Sequence, residues 1–221
     1  MTQGTTENLP TLVTNSAMTS QTRKPALSLL LAALLLTSCA TPPIELSLWK
    51  GMQLFDQDTP IAGARLGVIS VNKETDGVDV GMLATITDQG SGINVAPLVK
   101  SDHHTGLQVA IGSHTLRTDG VLIALAGNWA TDFENRPLET MVNGVQIGLT
   151  SMTNQLSGVQ LSAINVANDV DGLQVALGNK ARSVYFGSQV GLINIADSGW
   201  QIGLLNFNKN GFLPFFPLIN F

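Results

Sequence analysis

The sequence predicts an all-β chain, a single β-solenoid of about eleven coils of about 14 residues, closed by an aromatic and proline-rich C-terminal cap. Three observations predict it. First, the phrase Gly–apolar–Gln–apolar–small–apolar returns at Gly144, Gly158, Gly172, Gly187 and Gly199. A short fixed period is the signature of a repeat architecture. The same period runs back through Gly120, Gly106, Gly92, Gly77 and Gly63 to Gly51. Second, with the glycine as position 1, position 4 is aliphatic in all eleven repeats, and positions 2 and 6 are mostly apolar. That is the period of a strand with one face buried. Third, every repeat keeps the same polarity and columns, as a parallel stack requires.

The chain opens on a targeting segment. Arg23 and Lys24 precede an apolar run, Ala26 to Leu36, and then Thr37-Ser38-Cys39. A basic region, a short apolar core and small residues form a secretory signal, too short to span a bilayer. Residues 1–38 therefore read as a signal peptide. Met18 offers a compact start, with residues 1–17 as an extension. Leu36-Thr37-Ser38-Cys39 resembles the lipobox of bacterial lipoproteins. In that family the signal is cut before the cysteine, which then carries a diacylglyceryl thioether and an acylated amine. The resemblance implies that Cys39 is the lipidation site and that a lipid anchor holds the protein to a membrane. Ala40 in place of Asp points to the outer membrane.

Residues 39–50 form the acylated cysteine and a tether, with Pro42-Pro43 favouring extended chain. Residues 51–210 form the solenoid. One repeat, between Gly120 and Gly144, carries about ten extra residues, an insertion at 131–143 that includes Asp132, Glu134, Arg136 and Glu139. The alternation puts position 4 in a shared aliphatic core and position 3 on the outer face. One strand, a corner, a weaker second strand and a glycine corner would complete a thin, two-sided coil. Position 3 is Gln at Gln108, Gln146, Gln160, Gln174, Gln189 and Gln201. Such a face could meet an envelope polymer or a protein partner, so these six are the candidate binding face. Stacked Gln side chains can also hydrogen-bond as a ladder.

Residues 211–221 break the repeat. A solenoid end exposes an apolar cross-section and an unpaired edge, so it needs an atypical cap. Four Phe and two Pro in this segment suggest a plug. The repeats, the lipobox and the closing FLPFFPLINF together resemble bacterial surface-repeat lipoproteins, a family whose function is not established. A small outer-membrane β-barrel with a channel or transport role is the competing reading. The terminal Phe221, with Phe215 and Ile219, is like the last strand of such barrels. Against it, the chain has one Tyr and three Trp, too few for two aromatic girdles.

Composition narrows function further. Charged residues are only 12% and net charge is −5, which gives no basic footprint for nucleic acid. Removing residues 1–38 leaves nine basic and fifteen acidic residues, a net charge of −6. Asp102, His103, His104 and His114 form the one histidine cluster. Neighbouring histidines on a strand point to opposite faces, so no metal site is assigned. No nucleophile elbow occurs, and no helix follows the glycines to make a phosphate loop. The sequence therefore reads as a non-catalytic surface or envelope module, structural or adhesive, without a cofactor.

Overall fold

Gly158 pairs with Gly144, Gln160 with Gln146, and Asn165 with Ser151, all in parallel register at an offset of 14 residues. The next repeat adds Gly172, Gln174 and Asn179 to the same columns. The repeat period is thus one coil of a β-solenoid. The structure, a computed structural model, describes residues 41–130 and 140–221. Its elements are all strands: β1 (Ile44–Trp49), β2 (Met52–Gln53), β3 (Ile61–Ala130), β4 (Met141–Thr153), β5 (Gln155–Val166), β6 (Asp169–Lys180), β7 (Ser183–Val184), β8 (Ser188–Ala196), β9 (Trp200–Asn208) and β10 (Phe215–Asn220). They form one sheet of order β10-β9-β8-β6-β5-β4-β3-β1-β2, with β7 on β6. The order is linear and its ends do not pair, so the fold is a solenoid and not a barrel.

Counted between separate strands, the stack makes about five turns, fewer than the eleven that glycine counting gives. These are the parallel pairings of separate strands from β3 to β9. The Gly51 unit is not a coil at all. Its strand β2 folds back antiparallel on β1. The units from Gly63 to Gly120 all lie within β3, where strand runs without a break while Gly77 stacks on Gly63, Gly92 on Gly77, Gly106 on Gly92 and Gly120 on Gly106. The insertion is also smaller than expected. Residues 141–143 belong to the regular coil, pairing with Arg117, Thr118 and Asp119. Residues 131–139 lie outside the described residues.

Burial corrects the facing. The expected core column, position 4, points outward: Leu66, Val95, Leu161 and Ile202 are all exposed. The expected outer column, position 3, points inward: Gln108, Gln146, Gln160, Gln174, Gln189 and Gln201 are each 0% exposed. The physical reason is the parallel register. Identical amides recur one strand spacing apart, about 4.8 Å, and each can both donate to and accept from its neighbours. A buried amide column therefore satisfies itself, which removes the usual penalty for burying polar groups.

Breaks in the alternation divide a coil into three sides rather than two. In the Gly158 coil the buried residues are Leu156, Gln160, Asn165 and Ala167. A glycine side runs along Val159–Ser162 and an asparagine side along Ile164–Ala167. A third side carries Asp169, Val170 and Asp171. A second apolar cluster, Ala96, Val99, Ala110 and Ala124, lies within β3, and from β4 onward the apolar core sits on this third side. It is the column Val142, Leu156, Val170 and Val184, with Ala167, Ala181 and Ala196 beside it.

Both ends are closed by antiparallel strands. At the N-terminus β1 pairs parallel with β3, and β2 turns back on β1. At the C-terminus β10 runs antiparallel to β9. The cap differs from the expected plug. Phe212, Phe215, Phe216 and Phe221 are exposed. Buried Asn220, in register with Gln201, covers the end of the glutamine column instead.

Candidate interaction faces

The interior is a pair of amide ladders. Gln160 donates through Nε2 to Gln146 Oε1 at 2.8 Å, and Gln174 to Gln160 at 2.7 Å. Gln189 donates to Gln174 at 2.8 Å, and Gln201 to Gln189 at 2.9 Å. The second ladder points the other way along the stack. Asn165 donates to Asn179 Oδ1 at 3.0 Å, Asn179 to Asn194 at 2.8 Å, and Asn194 to Asn206 at 2.8 Å. Gln108 stands apart, because fully buried Leu122 occupies its column before Gln146. Gln108 Oε1 accepts from Thr115 Oγ1 at 3.0 Å instead. These six glutamines are therefore interior and present no exposed surface from which a binding face could be made.

The N-terminal end of the same column is charged. Glu45 pairs in register with Arg65. Arg65 forms a bidentate ion pair with Asp79, one bond being Nε to Oδ1 at 2.9 Å, and donates to Thr87 Oγ1 at 2.7 Å. Glu45 and Arg65 are both 0% exposed. Burial pushes the Glu45 carboxyl up to about 6, with Arg65 pulling it down and Asp79 adding to the rise.

The outer surface of the third side is polar. Glu74, Asp76, Gln89, Ser91, His103 and Thr105 line a shallow depression there. Ser91 donates to Asp76 at 2.5 Å. His103 Nε2 lies 2.8 Å from Asp119 Oδ2, and Asn143 donates to Asp119 Oδ1 at 2.6 Å. The Asn143 and His103 contacts hold the Asp119 carboxyl below its ordinary value. Asp169 and Asp171 continue this acidic side.

The histidines do not come together. His103 faces outward on the acidic side, while His104 is buried, with burial lowering its pKa. His114 lies beside Trp129 and Leu98 on the asparagine side. Among the described residues no group of three or more His, Cys, Asp or Glu could hold a metal ion. Cys39, the signal peptide and Asp132, Glu134, Arg136 and Glu139 lie outside the described residues.

The other two sides are apolar outside. Val145, Val159 and Leu173 form one outward column, and Ile147, Leu161, Val175, Val190 and Ile202 another. Leu149, Leu177, Leu192 and Leu204 stand exposed at the corner. The asparagine side adds Ile164, Ile193, Ile195 and Phe207, also exposed. The columns run into both ends. Leu46 pairs with Leu66 and Ile219 with Ile202. Phe221 stacks on Trp200 with centroids 4.9 Å apart, and Phe215 meets Phe207 at 5.1 Å. Sequence reasoning found these columns but assigned them to the core. No protein-family model matches the chain, and neither a curated protein nor a solved structure does.

Proposed function

We propose that this chain is an acylated outer-membrane lipoprotein whose solenoid is a non-catalytic structural or adhesive module of the cell envelope. One observation carries the reading. Coil after coil, the interior is committed to amide ladders, and the distinctive chemistry lies in long uniform outer faces. Such an object offers extended contact rather than a reaction centre. The lipobox-like Leu36-Thr37-Ser38-Cys39 supplies the anchor, and Ala40 the outer-membrane address. Several acyl chains hold a protein firmly where one does not. Ile44, the first residue of β1, follows Cys39 by only five positions, so the anchor brings the solenoid close to lipid.

Metabolic labelling with palmitate tests this. Wild-type protein takes up label and fractionates with the outer membrane, and Cys39→Ser protein does neither. A wild-type chain whose mature N-terminus carries no lipid by mass spectrometry overturns the proposal. Proteolysis of intact cells then reports which side of the membrane the solenoid occupies.

A further inference from the structure

We infer that the glycine and asparagine sides of the solenoid lie in the acyl region of a lipid layer, with the acidic side facing water. Monomeric soluble proteins rarely expose contiguous apolar patches larger than a few hundred Å². Here two adjoining sides are apolar along the stack from Gly144 to Phe207, whereas Lys100 and His114 stand on the asparagine side of the coils before it. A flat protein partner, including a second copy, covers one side and leaves the other in water. Lipid wraps both.

Charge follows the same division. Five charged residues occur between Gly144 and Phe207: Asp169, Asp171, Lys180, Arg182 and Asp197. Asp169 and Asp171 lie on the acidic side, and Arg182 and Asp197 at the corner leading into it. Only Lys180 stands on the asparagine side, at its edge, where a long stem can carry the ammonium back to water. The cap keeps the division, since Phe221 on Trp200 and Phe215 on Phe207 extend the apolar columns. Aromatic residues suit the boundary between lipid and water.

The backbone supplies an independent observation. In lipid every backbone polar group must be satisfied from within. At the corner between the two apolar sides, four carbonyls are satisfied in this way. Buried Asn128 donates to the carbonyl of Ile147 at 2.9 Å, Asn165 to Val175 at 3.1 Å, Asn179 to Val190 at 2.9 Å, and Asn194 to Ile202 at 3.0 Å. The asparagine ladder thus seals from inside the carbonyls that a water-facing corner would leave to solvent. On the acidic side, by contrast, Asn168 and Asn154 pair outside, at 3.1 Å.

The inference extends the anchored-module reading but does not depend on lipidation. The test uses the full chain with Cys39→Ala, in which an introduced cysteine is the only thiol. Leu177→Cys reports the apolar corner and Ser157→Cys the acidic side, each carrying an environment-sensitive fluorophore. The protein is reconstituted with phosphatidylcholine vesicles, with or without brominated acyl chains. The expected result is a blue shift and loss of emission at Leu177→Cys in brominated vesicles, with Ser157→Cys unchanged. Equal behaviour at both sites overturns the inference, because the N-terminal segment alone would then hold the chain to lipid. A blue shift at Leu177→Cys without vesicles, insensitive to bromine, assigns the face to a second copy and also overturns it. Absence of acyl groups on Cys39 of the native chain removes the lipoprotein reading while leaving this result standing.

Discussion

Gln174 donates from Nε2 to Gln160 Oε1 at 2.7 Å, with both side chains fully buried. Gln174 in turn accepts from Gln189 at 2.8 Å. Each amide is therefore at once a partner for the coil before and the coil after. Gln174→Leu deletes both bonds, leaves Gln160 Oε1 unsatisfied in the interior and leaves Gln189 Nε2 with only its 3.5 Å bond to the Ile195 carbonyl. Leaving a buried donor or acceptor unsatisfied costs about 1–3 kcal/mol, so the expected loss is about 1–3 kcal/mol. Thermal melts of the detergent-solubilised chain followed by circular dichroism measure it. A variant that melts with wild type shows that the ladder contributes no net stability.

Position 146 and position 147 should respond unequally. Gln146 is fully buried, whereas Ile147 is only half-buried and points outward. Gln146→Glu places a carboxylate in the interior; an uncompensated buried charge costs about 3–5 kcal/mol at neutral pH. Ile147→Asp points its carboxylate outward and leaves the interior ladder intact, so it costs less than Gln146→Glu. Melts of the two single variants decide the facing of the strand. A severe loss at 147 with a neutral change at 146 would restore the aliphatic core that alternation suggests.

How much was legible follows from these two residues. The period, the parallel register and the alternation were all readable, because stacking demands identical residue types at identical offsets. Which face is inward was not. Alternation sets two faces apart, and hydrophobicity ordinarily names the inner one. Here the apolar face is outside, and the signal that could have shown it was the amide columns themselves. Gln in one column and Asn or Ser in another are two ladders, and a ladder gains most where water cannot compete. The true apolar core, Val142, Leu156, Val170 and Val184, sits two or three residues before the glycine. It falls outside a repeat that begins at the glycine, where the alternation is strongest. Glu45 and Arg65 were invisible as a pair, since 20 residues separate them and the Gly51 unit between them forms a hairpin.

The Glu45 carboxyl gives the fold a pH dependence. Burial raises it from 4.5 to about 6. An acid whose folded pKa lies above its unfolded value contributes stability below the unfolded pKa and loses it as pH rises through the folded one. The contribution of Glu45 is thus present below about pH 4.5 and is gone above about pH 6. Glu45→Gln abolishes this slope. Its melting temperature relative to wild type should rise between pH 4.5 and 7. Buried His104, whose pKa is lowered, contributes the opposite slope in both proteins and drops out of the difference. Parallel profiles for the two proteins would show that Glu45 keeps its ordinary pKa.

Gly158 tests the corner on which the stack depends. Its φ is +139°, a region that side chains with a Cβ hardly enter, at a cost of about 1–3 kcal/mol. Space forbids a Cβ as well. One built on Gly158 lies 2.0 Å from the carbonyl oxygen of Gly144, which is backbone and cannot swing aside. Gly144 stands in the same relation to Gly120, and Gly172 to Gly158, so a shift at one corner is passed to the next. Gly158→Ala should therefore cost more than the strain alone, at least about 3 kcal/mol. Gly178→Ala is the control. It lies in the same sheet, but a Cβ there meets nothing within 4 Å, so its melting temperature should stay close to wild type. Equal melting of the two variants would mean that the glycine column is not where the coils are locked together.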